Sequence, residues 1–311
     1  MADLVISNQK IVAGAASSVD IFVGRLAEQT EVFMNVQAVR GEADGPTVFV
    51  TGCVHGDEVN GFEIVRQIKR ALDPRSLRGT VLLVPVVNVF GFIFRSRYLP
   101  DRRDLNRSFP GTARGSQAAR LAHVLMTEIV AKCDAGIDLH TGPLGRYNLP
   151  QAWCDPNDVK SLELGQAFGA PVMLHSPSKD GTLRHAAAGV GVPVVLFEGG
   201  EAMRFDADSI RHGTDGVLRV LKKLDMIDEA PEAMPSVVIE NMKWVRARRA
   251  GAFRPGVNSG HSVEKQDRLA AISDPLGHET FKIRAPIGGL VLSHGTSPLV
   301  NRGDAIFRIG Y

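Results

Sequence analysis

Residues 48–58 read Val48-Phe49-Val50-Thr51-Gly52-Cys53-Val54-His55-Gly56-Asp57-Glu58, and this stretch decides the fold. It opens with an apolar, β-branched run closed by a glycine, the pattern of a strand buried on both faces, as in a parallel sheet. From Glu58 the period changes. Phe62, Val65, Ile68 and Leu72 fall on one stripe at helical spacing, and Asp73-Pro74 ends the helix predicted over Glu58–Ala71. A buried strand that passes through a glycine turn into an amphipathic helix is the first half of a strand–helix–strand unit.

Outward from this unit the same alternation continues. On the N-terminal side, Val19–Gly24 and Glu31–Val39 alternate as strands, and Gly41–Pro46 reads as a turn. On the C-terminal side come a buried strand, Val81–Val87, and a polar, arginine-rich loop, Arg95–Arg114. A helix over Gln117–Lys132 follows, with Leu121, Val124, Leu125 and Ile129 inward, then a third strand over Cys133–His140. A helix over Ser161–Phe168, a strand over Pro193–Phe197 and a helix over Ser209–Leu224 complete the pattern. Strands alternating with helices predict an α/β domain with a mostly parallel or mixed sheet flanked by helices. The composition changes at Glu229–Pro235, which reads as a linker. Beyond it lie only short strands and Gly/Pro turns, which predict a small all-β domain of about 75 residues. The expected domains are therefore 1–228 and 236–311.

Composition narrows the function. The 311 residues are 44% hydrophobic and 23% charged, ordinary for a soluble globular protein. Lys and Arg number 36 against 34 Asp and Glu, a net charge of +2, which excludes a protein that holds nucleic acid by net charge and an acidic disordered tail. Cys53, Cys133 and Cys154 are odd in number and far apart, so neither a disulfide framework nor a cysteine metal site is expected, and Cys53 reads as a small buried residue. No apolar run reaches the roughly 20 residues of a membrane helix. The first ten residues lack the basic and then apolar regions of a signal peptide, so the expectation is a cytoplasmic protein without a membrane partner.

Four motifs fall where predicted strands end, the place where open α/β sheets bind ligands. His55-Gly56-Asp57-Glu58 sets an imidazole and a carboxylate three residues apart at a strand-to-helix turn, two thirds of a His₂Glu metal site, although such pairs are also common on surfaces. Asp138-Leu139-His140-Thr141 offers a third ligand, His140, with Asp138 on the same strand face to orient an imidazole. Taken alone, the same residues read first as a hydrogen-bonded core histidine and a cap or turn aspartate. The loop with Arg95, Arg97, Arg102, Arg103 and Arg107 suits a bidentate grip on a carboxylate and the stabilisation of an oxyanion, or is a solvated basic loop. Glu198-Gly199-Gly200 follows the last strand, and Glu198 there suits a general base, with Glu201 as its rival.

His-Gly-Asp-Glu at 55–58, Asn88 with Arg97, Asp-Leu-Asn-Arg-x-Phe-Pro-Gly at 104–111, Asp-Leu-His-Thr at 138–141 and Glu-x-Gly from Glu198 occur in one order. In this the chain resembles the succinylglutamate desuccinylase/aspartoacylase family of the zinc carboxypeptidase superfamily. The resemblance implies one zinc ion per chain on His55, Glu58 and His140. It implies that Arg97 polarises the scissile carbonyl, that Asn106 and Arg107 bind the substrate carboxylate, and that Glu198 is the general base. It implies no role for Arg146, Arg184 or His185, which fall in expected substrate loops. Beyond the linker, Arg284–Gly289 and Val300–Asp304 resemble a biotinyl/lipoyl-type hammerhead barrel. The tip reads Gly288-Gly289-Leu290, without the lysine of a carrier, which implies a lid or an interface module.

The function so implied is zinc-dependent removal of an acyl group from an N-acyl amino acid or a related small carboxylate. A metallocarboxypeptidase acting on short peptides is the alternative, and a non-catalytic binding protein on a hydrolase fold is the rival from another class. The sequence leaves open the acyl group, the amino acid and any assembly into a homo-oligomer.

Overall fold

The computed structural model describes residues 3–233 and 235–311. Met1 and Ala2 of the N-terminal stretch and Met234 of the expected linker lie outside the described residues. In chain order the main elements of the first part are β1 (Ala15–Arg25), β2 (Glu31–Arg40), β3 (Ala43–Gly52), α1 (Asn60–Ala71), β4 (Arg78–Val84), α2 (Gln117–Glu128) and β5 (Ala135–Gly142). They continue with β6 (Arg146–Cys154), α3 (Val159–Phe168), β7 (Val172–His175), α4 (Leu183–Ala188), β8 (Val194–Glu201) and α5 (Ala207–Lys223). The second part is all strand: β9 (Val237–Ile239), β10 (Met242–Arg246), β11 (Gly251–Pro255), β12 (Arg268–Ser273), β13 (Thr280–Arg284), β14 (Gly289–Gly295) and β15 (Ala305–Gly310).

One mixed sheet runs through both parts in the order β10-β15-β14-β6-β8-β5-β3-β4-β2-β1. Its centre, β8-β5-β3-β4, is parallel. The flanking pairs β1/β2, β2/β4, β6/β8, β6/β14, β14/β15 and β10/β15 are antiparallel. The α/β prediction holds, with an antiparallel strand on each side of the parallel centre. The C-terminal strands β14, β15 and β10 extend this sheet, β9 pairs with β7, and β11, β12 and β13 form a separate antiparallel layer over them. Phe253, Leu269, Ile272, Val291, Phe307 and Ile309 are buried between the two layers.

The central strands are buried on both faces, as their unbroken apolar run requires. Val48 and Val50 of β3 pack with Ile64 and Ile68 of α1 and with Val217 and Leu221 of α5. Phe49 points the other way, among Leu121 and Leu125 of α2 and Leu82 of β4. Each such side chain stabilises the fold by about 1.5–3 kcal/mol relative to exposure. On α1 the buried stripe includes Ile64 rather than Phe62, which is half-buried against Phe92 with ring centroids 5.9 Å apart.

Several boundaries differ from the sequence reading. Helix α1 begins at Asn60, so Glu58 stays in the turn, where its side chain is free of the helix. Helix α2 stops at Glu128, and Val130–Lys132 forms a separate 3₁₀ turn. Strand β8 does not stop at Phe197 but runs on to Glu201, so Glu198 lies inside a strand. Arg146 opens strand β6 and Arg184 sits in helix α4 rather than in loops. Strand β6 was hidden by Asn148, Pro150 and Gln151, which break the alternation a strand reading needs. The cause is a bulge: Glu198 and Gly200 of β8 stand opposite Gln151 and Asn148, so β6 carries one extra residue between them.

Candidate metal centre

The stretch that decides the fold also builds the site. Strand β3 ends at Gly52, and the chain turns through Cys53, whose φ of 50° lies in the left-handed region. The turn is compact because a Cβ on Gly56 would lie 2.0 Å from the carbonyl carbon of Gly91, so only glycine fits there. The Cys53 thiol is buried, donates to the Glu58 carbonyl at 3.4 Å, and is pushed up in pKa by burial. It is a packed, inert residue that holds the turn, as the bland reading expected.

This turn aims His55 and Glu58 at His140 on the neighbouring strand β5. Nδ1 of His55 and Oε1 of Glu58 are 2.7 Å apart, as are Nδ1 of His140 and Oε2 of Glu58. The two Nδ1 atoms are 3.2 Å from each other. The three residues are 1–3% exposed and offer ligand atoms that all lie within 4.8 Å of one another, a set able to hold a metal ion.

Each imidazole is held from behind by a carboxylate. Nε2 of His140 lies 2.9 Å from Oδ2 of Asp138, whose other oxygen accepts from the Thr51 hydroxyl at 2.9 Å. Nε2 of His55 lies 3.0 Å from Oδ1 of Asp104. With the Nε2 atoms held by carboxylates, the Nδ1 atoms point toward Glu58, the arrangement found behind metal-ligating histidines. Two ring nitrogens at this distance repel unless a cation or a proton lies between them, so the donor set fits a metal ion.

The electrostatics follow. Burial pushes His55 and His140 down, but Glu58, with Asp104 for His55 and Asp138 for His140, outweighs it and raises both, His140 well above the usual histidine range. Burial pushes Glu58 up, yet the two imidazoles hold it well below the usual carboxylate range. Asp104 is depressed in the same way, by His55 and Arg97 against its own burial.

Asp104 was quoted in a motif but given no role by the sequence reading. It also takes two hydrogen bonds from Arg97, Nε at 3.2 Å and Nη2 at 2.9 Å, while Nη1 of Arg97 donates to Glu58 Oε1 at 3.1 Å. Arg97 thus faces the Glu58 carboxylate, positioned in part by Asn88, whose Nδ2 donates to the Arg97 carbonyl. Asn106 is buried and accepts from the Leu183 N–H at 2.9 Å, which ties the arginine-rich loop to the start of α4. Arg107 leans on the Asn106 carbonyl, and both residues line a cleft of about 430 Å³ beside His55, Glu58 and His140.

Glu198 lines the same cleft and stands opposite His140 in the β8/β5 register. The bulge in β6 lets two residues of opposite parity serve it: Asn148 Nδ2 donates to Glu198 Oε2 at 2.8 Å and Gln151 Nε2 to the same oxygen at 3.3 Å. Glu201 is placed elsewhere. It accepts from the Gly145 N–H and the Thr296 hydroxyl, both at 2.9 Å, and so fastens the C-terminal part to the first. Of the residues left without roles, Arg146 and Arg184 line the cleft, and His185 is half-exposed and paired with Asp180. The cleft also contains Trp153 and, from β15, Arg308, neither of which the sequence singled out.

A family model described as the succinylglutamate desuccinylase/aspartoacylase catalytic domain matches residues 44–224, more than half of the chain. A curated relative, N-alpha-acetyl-L-2,4-diaminobutyric acid deacetylase of Halomonas elongata, is 26% identical over 283 residues, covering 86% of this chain and 82% of its own. A crystal structure of succinylglutamatedesuccinylase/aspartoacylase from Rhodobacter sphaeroides superposes with a TM-score of 0.86 at 26% identity, covering 98% of each chain. The product-bound ectoine utilization protein EutE (DoeB) from Ruegeria pomeroyi shares the fold, with a TM-score of 0.87 over 96% of this chain and 97% of its own at 24% identity. Among the described residues no helix is long and apolar enough to cross a membrane.

Proposed function

The chain belongs to the succinylglutamate desuccinylase/aspartoacylase family, and on that premise we propose that it is a zinc-dependent hydrolase that removes an acyl group from an N-acyl amino acid or a related small carboxylate. The observation that carries the reading is the convergence of two Nδ1 atoms and the Glu58 carboxylate in a cleft that also contains Glu198. Residues 1–228 carry the chemistry in this reading, and residues 236–311 close the cleft.

His55, Glu58 and His140 would hold one zinc ion. When bound, the ion supplies Lewis acidity, polarising the amide carbonyl and making water acidic enough to attack near neutral pH. Glu198 accepts the water proton and returns it to the leaving amine. Arg97 donates to the oxygen on which charge develops, and Asp104 keeps its guanidinium turned toward the site. Arg107 and the Asn106 side chain grip the carboxylate of the amino-acid half.

Two observations support a small substrate. A cleft of about 430 Å³ lies toward the small end of small-molecule pockets. The Halomonas relative carries the name of a deacetylase of an N-acetyl amino acid. A cytoplasmic location, with neither nucleic acid nor membrane as partner, completes the reading. The test is a panel of N-acetyl and N-succinyl amino acids and short peptides offered to the zinc-loaded protein, with release of free amine as readout. Turnover of N-acyl amino acids supports the reading. Cleavage of peptides alone overturns it in favour of a carboxypeptidase.

A further inference from the structure

Arg308 stands on β15 in the C-terminal part, yet its side chain ends in the cleft that contains the ligand set and Glu198. It is 5% exposed, and its Nε and Nη2 have no hydrogen-bond partner among the described residues. Its guanidinium sits over two indole rings, 5.0 Å from the centroid of Trp153 and 5.3 Å from that of Trp244, the chain's only two tryptophans. Arg146 packs on Trp244 at 4.7 Å, and its Nε is also buried and unpartnered, as is the Trp153 Nε1.

Such a group is costly to the fold. A buried donor left unpaired loses its hydration without return, and a buried guanidinium loses more than a neutral group. Glu198 is the carboxylate whose charge acts on both arginines, but its Oε2 is taken by Asn148 and Gln151, and no ion pair joins it to either arginine among the described residues. Beside the unpartnered amide oxygens of Asn148 and Gln151, what remains is a set of donors with no carboxylate partner: Nε of both arginines, Nη2 of Arg308 and the Trp153 indole N–H. That set selects an anion. The indoles contact both guanidinium groups by cation–π interaction, which restrains where they sit.

The register gives the location. Arg308 stands opposite Ser293, Ser293 opposite Asn148, and Asn148 reaches Glu198. Arg308 therefore lies across β14 and β6 from Glu198, on the side away from His140, and Arg146 opens β6 between them. Asn106 and Arg107 enter instead from the loop tied to α4.

We propose that Arg308 and Arg146, seated on Trp153 and Trp244, form an anion subsite that takes a second carboxylate of the substrate, distinct from the one held by Asn106 and Arg107. This deepens the hydrolase reading and rests on it: the preferred substrate carries a further carboxylate, on its acyl half or on its amino-acid side chain, and the C-terminal part selects for it.

The test compares N-acetylalanine, N-succinylalanine and N-acetylglutamate as substrates of the zinc-loaded wild type, Arg308→Met and Arg308→Lys. Arg308→Met should raise KM roughly 10- to 100-fold for whichever compound places its extra carboxylate in the subsite, with little change for N-acetylalanine. Arg308→Lys should restore part of that loss, and the affected compound identifies the half that carries the charge. The Tm of Arg308→Met should hold or rise, because an unpartnered buried charge is removed, whereas a structural arginine would lower it. If Arg308→Met does not fold, the same selective loss in milder form is required of Arg308→Lys. A uniform loss on all three compounds, or none, overturns the proposal.

A second arm does not need turnover. Succinate should change the tryptophan fluorescence of the wild type saturably and that of Arg308→Met far less. If no N-acyl compound is hydrolysed but this difference persists, the hydrolase reading fails and the subsite stands. An identical response in both proteins, or no response in the wild type, overturns the subsite.

Discussion

The Nδ1 atoms of His55 and His140 face each other across 3.2 Å, and one carboxylate, that of Glu58, lies 2.7 Å from each. The rings are turned this way by Asp104 and Asp138, which occupy their Nε2 atoms. Neither aspartate belongs to the ligand set, so Asp138→Asn and Asp104→Asn should keep the fold and weaken metal binding by about 10–100-fold, the usual effect of losing such support. Competition with a chelator of known affinity measures this. Wild-type affinity in both variants would contradict the orienting role.

The same geometry sets a pH dependence. In the metal-free protein the raised imidazoles supply the positive charge that Glu58 and its neighbours require. A raised histidine contributes stability that is fully present below its unfolded value of about 6.5 and is lost as pH rises through the folded value. The depressed Glu58 and Asp104 contribute stability present above the ordinary carboxylate range, lost as pH falls through their lowered values. Metal-free protein should therefore lose stability from neutral to alkaline pH, while zinc affinity rises over the same window as the ion displaces protons. Calorimetry in buffers of different ionisation enthalpy reads the protons released. Zero release at pH 7 would contradict the protonated, closed arrangement.

Glu198→Gln should retain fold and zinc and lose about 10²–10⁴-fold in kcat, the usual contribution of a positioned acid–base group. Glu201→Gln should leave kcat nearly unchanged and lower the Tm, because Glu201 fastens Gly145 and Thr296 rather than facing the cleft. The reverse pattern would assign the base to Glu201.

Arg107→Ala should act mainly on KM, by about 10–100-fold, since it removes a charge-assisted partner of a carboxylate present in the ground state. Arg97→Ala should act mainly on kcat. It should also loosen the metal, because Arg97 bonds both Glu58 and Asp104. Steady-state kinetics with a zinc titration separates the two. Unchanged kinetics in both variants would return the arginine-rich loop to a solvated surface.

The clustering of His55, Glu58 and His140 was legible because each sits in a short motif tied to a strand end, where sequence pattern and three-dimensional position coincide. Glu198 was chosen for ending its strand, yet β8 continues through Gly199 and Gly200 to Glu201, and what distinguishes Glu198 is its register opposite His140. Asp104 lies 49 residues from His55, and no local period relates the two. Strand β6 was illegible because its bulge at Leu149-Pro150 breaks the alternation that would reveal it, and that bulge is what lets Asn148 and Gln151 both meet Glu198. Arg308 reaches the cleft only through the register of three successive strand pairs, which a sequence of short β-segments does not encode locally.

The central claim is that one metal ion, held by His55, Glu58 and His140, makes this chain a deacylase. Its most direct test is to strip the protein with a chelator, add zinc back in measured steps, and follow amine release from N-acyl amino acids. The account predicts activity that is absent at zero zinc and saturates at one ion per chain in the wild type, with no recovery in His55→Ala. Full turnover by the stripped protein, or by zinc-loaded His55→Ala, would contradict it.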